Sequence, residues 1–384
     1  MRSQVNRPRM RPKKRMAAVV ALPAVAALTL TGCAEQMFGT DGDDGPDGEG
    51  EVVVGVPAEP KDSPGSPGSP GEATGTLEDG DELLGLVRAG LGDDVTPDSP
   101  APVAALEQGR LHIGSLGDVA DGSAETVDVD DSCTTVSGAV DGVVLGCGTT
   151  VRILDAEGAE QRRVDAPGEV TAAVVHPDGS VALTVDSDSD VHWFSSDGEE
   201  TRSEHITDSG SAMQLVGNTR NSDGEDGKDP QWRAALIDAA QTSVTDIDIT
   251  DRSRVAALRV GQGVGTVSAG TRPDGVLVAS DARRDQALVY TLTDVIRHTQ
   301  SVPTGEGAWA VLWDSDREVM WVSTTGDNTL TGYDLSTGTP VEIGAVPTAP
   351  DVRHIIDDGS GDLLLVAADG TRELIPSDDL PRKD

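Results

Sequence analysis

Arg272-Pro-Asp-Gly-Val-Leu-Val-Ala-Ser280 joins a tight turn to a short apolar strand, and this combination recurs along the chain. A close copy is His176-Pro-Asp-Gly-Ser-Val-Ala-Leu-Thr-Val185. Pro-Asp-Gly favours a turn because proline fixes φ and glycine readily takes positive φ. The apolar run that follows lacks polar alternation, which is typical of a strand covered on both faces. The pattern predicts stacked sheets, and weaker copies begin at Asp141, Asp316 and Ser360.

A second recurring element is a strand that ends in an acidic or glycine turn, as in Thr331-Gly-Tyr-Asp-Leu-Ser-Thr-Gly338. Together the two elements define units of about 42 residues over residues 133–384. This period is typical of a four-stranded propeller blade. Six units are counted, and they begin at Cys133, Glu169, Ser211, Val264, Ala308 and Asp351.

The predicted fold is therefore an all-β propeller of four-stranded blades, with seven blades favoured over six. The last unit has room for about three strands, and it ends near Leu374 to Pro376. Strands from Arg110 to Ser115 and from Glu125 to Asp130 are expected to complete the ring and remove its exposed edge. A pair of β-sandwiches is the alternative. Between Leu215 and Trp232, a polar insert predicts an elongated hairpin loop.

The units resemble those of bacterial YVTN-type and lactonase-like β-propellers, and in layout those of WD40 repeats. Tyr333-Asp-Leu-Ser-Thr-Gly338 matches the strand ending of that family closely, and His176 and Arg272 open complete Pro-Asp-Gly turns. The resemblance implies a propeller over about 250 residues. Lactonase-like propellers hold a metal or substrate with carboxylates, Asn and His at the central channel. Those residues are not identified on this chain, so no catalytic residue is assigned.

The N-terminus has the layout of a signal peptide. Seven of the first 15 residues are basic, and an apolar run from Ala17 to Leu30 follows. Leu30-Thr31-Gly32-Cys33 resembles the lipobox of bacterial lipoproteins, which implies that residues 1–32 are removed and that Cys33 carries palmitate-type acyl chains. Two acyl chains anchor a protein stably, so the expected location is the extracytoplasmic face of the cell membrane. An ordinary secretory signal is the alternative.

Residues 33–102 are predicted to be a lipidated, disordered acidic linker, and residues 103–384 the propeller domain. The linker contains Ser63-Pro-Gly-Ser-Pro-Gly-Ser-Pro-Gly71 and little apolar surface with which to order itself. One interruption, from Asp81 to Leu91, has the pattern of a short amphipathic helix, although it includes two glycines.

Charge and cysteine usage limit the function classes. The 384 residues carry 29 basic and 67 acidic side chains, and a net charge of −38 excludes an ordinary nucleic-acid binder. Two cysteines remain after Cys33, and in an exported chain Cys133 and Cys147 are predicted to form a disulfide. A catalytic or metal-binding thiol pair is the alternative.

Few residues have a pattern that indicates chemistry. The sequence contains no Gly-x-Ser-x-Gly nucleophile elbow and no His-Glu-x-x-His zinc motif. The alternating acids of Asp186-Ser-Asp-Ser-Asp190 raise the question of calcium, but an EF-hand needs a glycine and a glutamate that are missing here. We expect no cofactor and no metal site, with Ca²⁺ as the alternative, and we interpret Asp246 and Asp248 as one polar strand face.

Three tryptophans are the candidate ligand-facing residues. Trp309, Val311 and Trp313 share one strand face by period two, and Trp321 follows on the next strand. Core packing between blades is the competing interpretation, and the one favoured.

Taken together, these features predict a membrane-anchored binding or scaffolding module at the cell envelope, and they favour a role other than that of an enzyme. A lactonase-like hydrolytic propeller and an accessory subunit of an envelope transport or signalling complex are the alternatives. The expected partners are the membrane, through the lipid, and a protein or other envelope component.

Overall fold

The turn-and-strand units build a seven-bladed β-propeller. The computed structural model describes residues 55–64, 73–92, 94–220 and 226–383. Within these residues, seven antiparallel four-stranded sheets form the blades, and the last is completed by β1 (Thr76–Glu78). The six predicted unit starts fall at or within one residue of the first strand of blades 2 to 7. The preferred prediction of seven blades is confirmed.

The first three blades take up the chain from Gly85 to His205. Their strands are β2 (Gly85–Arg88), β3 (Val103–Glu107), β4 (Arg110–Gly114) and β5 (Glu125–Asp128) in blade 1; β6 (Cys133–Ala139), β7 (Gly142–Cys147), β8 (Thr150–Asp155) and β9 (Glu160–Asp165) in blade 2; and β10 (Val170–Val175), β11 (Val181–Val185), β12 (Asp190–Phe194) and β13 (Glu200–His205) in blade 3.

The other four blades follow in chain order. Their strands are β14 (Gly210–Arg220), β15 (Asp226–Asp238), β16 (Ser243–Asp248) and β17 (Ser253–Arg259) in blade 4; β18 (Val264–Ala269), β19 (Val276–Asp281), β20 (Gln286–Thr291) and β21 (Arg297–Pro303) in blade 5; β22 (Ala308–Asp314), β23 (Val319–Thr324), β24 (Thr329–Asp334) and β25 (Val341–Pro347) in blade 6; and β26 (Val352–Ile356), β27 (Leu363–Ala367), β28 (Arg372–Ile375) and β1 in blade 7.

The core lies between the blades. Seven clusters of buried side chains each combine residues from two neighbouring blades, and one of them joins blade 7 to blade 1. The first strands of successive blades contact one another around the axis, so they are the innermost strands. We call the face on which these strands begin the upper face, and the face on which they end the lower face.

The ring closes differently from the prediction. The closing strand is β1, which pairs with β28 in the register Leu77 to Glu373, whereas β4 and β5 belong to a separate blade 1. The propeller therefore begins well before the predicted boundary at residue 103. A strand of three residues is held by main-chain hydrogen bonds, so the polar composition of this stretch does not prevent pairing.

The stretch from Asp81 to Leu91 also differs from the prediction, because it forms β2 and not a helix. Gly85, which weakens the helix, serves close packing in the strand. A Cβ there would lie 2.5 Å from a methyl carbon of Val136 on the neighbouring blade. The one helix among the described residues is α1 (Leu116–Asp121), which begins with a capping box between Ser115 and Asp118. No helix in the described part of the chain is long and apolar enough to cross a bilayer.

Two further predictions are confirmed. Cys133 and Cys147 form a disulfide, and they occupy paired positions on β6 and β7. The elongated hairpin is present as well, because β14 has 11 residues and β15 has 13, which is about twice the length of the neighbouring strands. The candidate lipidation site Cys33 lies outside the described residues.

Candidate functional site

The innermost strands enclose a central channel with a cavity of about 380 Å³. Apolar and hydroxyl side chains line it together. The apolar ones include Val136, Val267 and Ile355, and the hydroxyl ones include Ser137 and Ser211. A volume of this size is within the range of small-molecule sites.

Hydroxyl groups join the channel walls of blades 5 and 6. Thr266 Oγ1 donates to the Trp309 carbonyl at 3.1 Å and accepts from the Val311 amide at 3.0 Å. Ser268 Oγ accepts from the Trp313 amide at 3.2 Å. Backbone groups on the free inner edge of a blade need such partners, so these two blades are fastened to each other along the channel.

A buried ion pair lies at the lower end of the channel. Arg88, at the end of β2, pairs with the Asp357 carboxylate, and both side chains are 4% exposed. Its Nε donates to the Asp357 carbonyl at 2.8 Å and its Nη1 to the Ala269 carbonyl at 3.1 Å. Burial lowers the pKa of Arg88 to about 10, although the carboxylates of Asp314 and Asp358 favour its charged form.

The loop that follows Arg88 covers this lower end. The Leu91 amide donates to the Val140 carbonyl at 3.2 Å, and its side chain lines the channel cavity. The Gly92 amide then donates to the Thr271 carbonyl at 3.0 Å. Because these partners lie on blades 2 and 5, the loop spans the channel axis.

The upper end adjoins a second cavity of about 590 Å³, which shares Thr266 with the channel. Arg353 lies over the Trp309 ring, with its guanidinium carbon 5.7 Å from the ring centroid. The other polar groups that line this cavity are His354 and several acids, among them Glu59 and Glu82. The cavity therefore has both charge signs on its walls.

His354 is the one histidine at this cavity. It is partly buried beside Arg353. Burial and the positive charge of Arg353 lower its pKa to about 4. A hydrogen bond to the Leu83 backbone acts in the opposite direction and is outweighed. The side chain is therefore neutral in the folded protein at pH 5 and above.

Acidification is expected to weaken the fold through His354. Its pKa is about 4 in the folded protein against an ordinary value of 6.5, so between these values the unfolded chain binds the extra proton. The free energy of unfolding includes the contribution of neutral His354 in full above pH 6.5. This contribution is lost as pH falls through 4, and the total loss is about 3 kcal/mol. Urea unfolding of wild type and His354→Gln at pH 7 and pH 4.5 measures the difference, and equal pH dependence in both would contradict the assignment.

The predicted ligand-facing tryptophans do not form one platform. A β-bulge between Ala308 and Val311 turns the strand, so that Trp309 packs towards blade 7 and Trp313 towards blade 5. Trp321 is fully buried between blades 6 and 7. Trp313 is 4% exposed, and its Nε1 donates to Asp274 Oδ2 at 2.7 Å. Of the three, only Trp309 borders an upper-face cavity.

The acidic stretch runs from the loop after β11 to Asp190, the first residue of β12, and makes contacts within the protein. Asp188 lies 3.2 Å from His192 Nε2, and Glu200 lies 2.9 Å from the other ring nitrogen. These two carboxylates raise the pKa of His192 against the opposing effect of burial. Within the described residues, no group of three or more His, Cys, Asp or Glu side chains is placed to hold a metal ion.

Asp246 differs from the predicted polar face. Its side chain is fully buried, and Oδ1 lies 2.8 Å from Arg233 Nη2, while the Ile296 amide donates to Oδ2 at 3.1 Å. Burial raises the pKa of Asp246 to about 6. The pair fastens blade 4 to the loop of blade 5. Period-two alternation places Asp246 and Asp248 on one polar face, and this prediction is wrong for Asp246, because a register shift between Asp246 and Ile247 accompanies its burial, whereas the Asp248 side chain is 26% exposed.

Residues 55–64, which were predicted to be linker, lie across the upper face. Ala58 is buried against blade 5, and Arg283 Nη2 donates to the carbonyls of Val56 and Pro57 at 3.0 and 3.1 Å. Further along, Asn328 Nδ2 donates to the Pro64 carbonyl at 3.2 Å. This face therefore holds an extended peptide segment.

Comparison with known proteins identifies the fold and not a family. No family model matches the chain, and no curated protein matches it. Solved structures do match, in 1218 chains, so the fold is common. One is a chain from "Crystal Structure of Mitotic Checkpoint Complex", with a TM-score of 0.53 and 14% identity over 90% of this chain and 98% of that chain. At this identity the likeness shows a shared fold alone.

Proposed function

We propose that this protein is a lipid-anchored β-propeller that binds a protein partner at the extracytoplasmic face of the cell membrane. The observation that carries the binding function is the upper face, where loops of three blades hold residues 55–64 through backbone carbonyls and a small side-chain pocket. Recognition of a main chain together with a pocket for alternate side chains is how peptide-binding domains work.

The location rests on the sequence. Basic residues, an apolar run and Leu30-Thr31-Gly32-Cys33 occur in the order found in lipoprotein precursors. The disulfide between Cys133 and Cys147 agrees with an oxidising compartment, where such bonds persist. The strong acidity of the chain opposes adhesion to an anionic membrane surface, so the lipid supplies the attachment.

Replacement of Cys33 with Ala is expected to move the protein from the membrane fraction to the soluble fraction, because no acylated cysteine remains. Fractionation of cells followed by immunoblotting measures the distribution. The matched control is the double variant Cys133→Ala/Cys147→Ala, which loses the disulfide but keeps Cys33 and is expected to stay with the membrane. Membrane association of Cys33→Ala that resists alkaline carbonate would refute the anchor.

The partner is sought by extraction of wild-type membranes in mild detergent and purification of the intact protein. A protein that copurifies with wild type, and is lost when Arg283 is replaced with Ala, identifies an upper-face partner. A stoichiometric assembly that survives this replacement indicates instead an accessory subunit held by another face.

A further inference from the structure

Residues 55–64, here called the strap, cross the upper face with a regular spacing of contacts. A Cβ on Gly55 would lie 2.3 Å from the Ala240 carbonyl oxygen of blade 4. A Cβ on Gly263 of blade 5 would lie 2.8 Å from the Ala58 Cβ. Every third residue of the strap therefore approaches the propeller, on successive blades.

The third contact keeps the same spacing. A Cβ on Gly307 of blade 6 would lie 2.9 Å from the Lys61 Cβ, and the Lys61 ammonium pairs with Glu306. A repeat of three residues is the repeat of a polyproline II helix, and the strap has prolines at 57, 60 and 64. The strap thus has the sequence and the contact spacing of a Pro-x-x-Pro ligand.

The propeller recognises this segment mainly by its main chain. Arg283 binds two adjacent carbonyls and Asn328 binds a third, while the Ser63 hydroxyl donates to Asn328 Oδ1 at 2.6 Å. The side-chain requirements are few. They are a small residue at the position of Ala58, whose Cβ lies against Gly263 beside the Arg283 side chain, and a basic residue opposite Glu306.

We propose that the surface beneath the strap is a binding groove for extended Pro-x-x-Pro peptides, and that the strap is its competing ligand within the same chain. The inference deepens the proposed function, because it names the class of partner and the regulation of the upper face. The partner carries a small residue between its two prolines and a basic residue after the second one.

The strap is suited to displacement. Ala58 is its one buried residue, and Val56 is 72% exposed. Weak contacts suffice within one chain because a tethered ligand has an effective concentration in the millimolar range. A partner with the same spacing and a better fit can take its place.

The test uses a fluorescein-labelled peptide with the sequence of residues 55–64, its ends blocked, titrated onto the purified chain by fluorescence anisotropy. Two variants free the groove independently. Gly55→Val clashes with the Ala240 carbonyl, and Ala58→Lys brings a long cation against Arg283. Each is expected to bind the peptide at least tenfold more tightly than wild type, in which the strap competes.

Arg283→Ala, added to either variant, is expected to abolish this binding, whereas Arg284→Ala is the matched control. Arg284 is exposed and lies next to Arg283, and among the described residues it makes no hydrogen bond to the strap. A peptide carrying Ala58→Lys is expected to bind at least tenfold more weakly than the parent peptide.

The inference is overturned if neither strap variant binds the peptide at millimolar concentration. It is equally overturned if Arg283→Ala leaves binding unchanged. All chains carry Cys33→Ala and are studied in solution, so a negative result here leaves the membrane anchor intact, and a failed anchor leaves peptide binding measurable.

Discussion

Replacement of Arg372 with Met is expected to lower the free energy of unfolding by about 3–5 kcal/mol, because it leaves a buried carboxylate without its main partner. Arg372 lies on β28 in the last blade and Glu107 at the end of β3 in the first. Nη2 of Arg372 lies 2.8 Å from Glu107 Oε1, and Nη1 donates to the Val119 carbonyl at 2.8 Å. The two side chains are 5% and 4% exposed.

This pair matters because it joins the two ends of the ring. Arg110 and His112 lie 3.2 and 3.0 Å from the other Glu107 oxygen, so the carboxylate keeps part of its compensation when Arg372 is lost. The next residue of β28, Glu373, is fully buried and accepts from the amides of Gly75 and Ala349 at 2.9 and 2.7 Å. Consecutive side chains of β28 thus hold blade 1 and the chain that leads into β1.

Calorimetry measures the loss, and the melting temperature is expected to fall by about 10 °C, at roughly 2–4 °C per kcal/mol for a large domain. Arg382→Met is the matched control, because its ion pair with Asp378 is mostly exposed and contributes little. The double variant Glu107→Met/Arg372→Met is expected to regain most of the stability, since it removes both charges. A loss below about 1 kcal/mol in Arg372→Met would contradict a closing role.

The repeat can be predicted from the sequence because each blade requires the same local residue pattern. A turn with positive φ and a strand buried on two sides leave a signature within ten residues, as at His176 and Arg272. The spacing of these signatures located six of the seven innermost strands, and the disulfide followed from cysteine number and compartment.

The closing strand left no such signature. Thr76–Glu78 sits in a polar, glycine-rich stretch, and its pairing with β28 depends on main-chain groups that every residue supplies. β2 was missed for a related reason, because its apolar residues also fit one face of a short helix. Local sequence patterns therefore predict the blades but not the pairing of β1 with β28 that closes the ring.

The site residues were largely missed because their partners are distant in sequence. Arg88 and Asp357 are 269 residues apart, and Arg283 meets Pro57 across 226 residues. A basic residue that ends an apolar strand, as Arg88 does in Leu86-Val87-Arg88-Ala89, is a weak sign of a buried ion pair. The separate environments of Trp309 and Trp313 depend on a bulge that period-two counting does not include.

Replacement of Arg88 with Met is expected to be about as damaging as the loss of Arg372, at about 3–5 kcal/mol, but for a reason tied to the channel. Asp357 and Asp358 are 2% and 4% exposed at the lower end, and Asp314 is 2% exposed nearby. Arg88 is the cation that Asp357 pairs with, whereas Asp314 also pairs with Arg317. Without Arg88, the Asp357 carboxylate is buried without its ion-pair partner.

The sign of the pH dependence separates this effect from a simple packing loss. An unpaired buried carboxylate has a raised pKa in the folded state, so it binds a proton more tightly than in the unfolded chain, and stability increases as pH falls. The difference in unfolding free energy between wild type and Arg88→Met is therefore expected to shrink from pH 7 to pH 5. Urea unfolding at both values measures it.

The double variant Arg88→Met/Asp357→Leu is expected to recover most of the loss at pH 7, because neither charge remains to be desolvated. Arg272→Met is the matched control at the same end of the propeller. Its pair with Asp316 involves an arginine that is 52% exposed, so it contributes about 1 kcal/mol or less. If Arg88→Met is as stable as wild type at pH 7, the ion pair adds no net stability to the fold and the prediction is wrong.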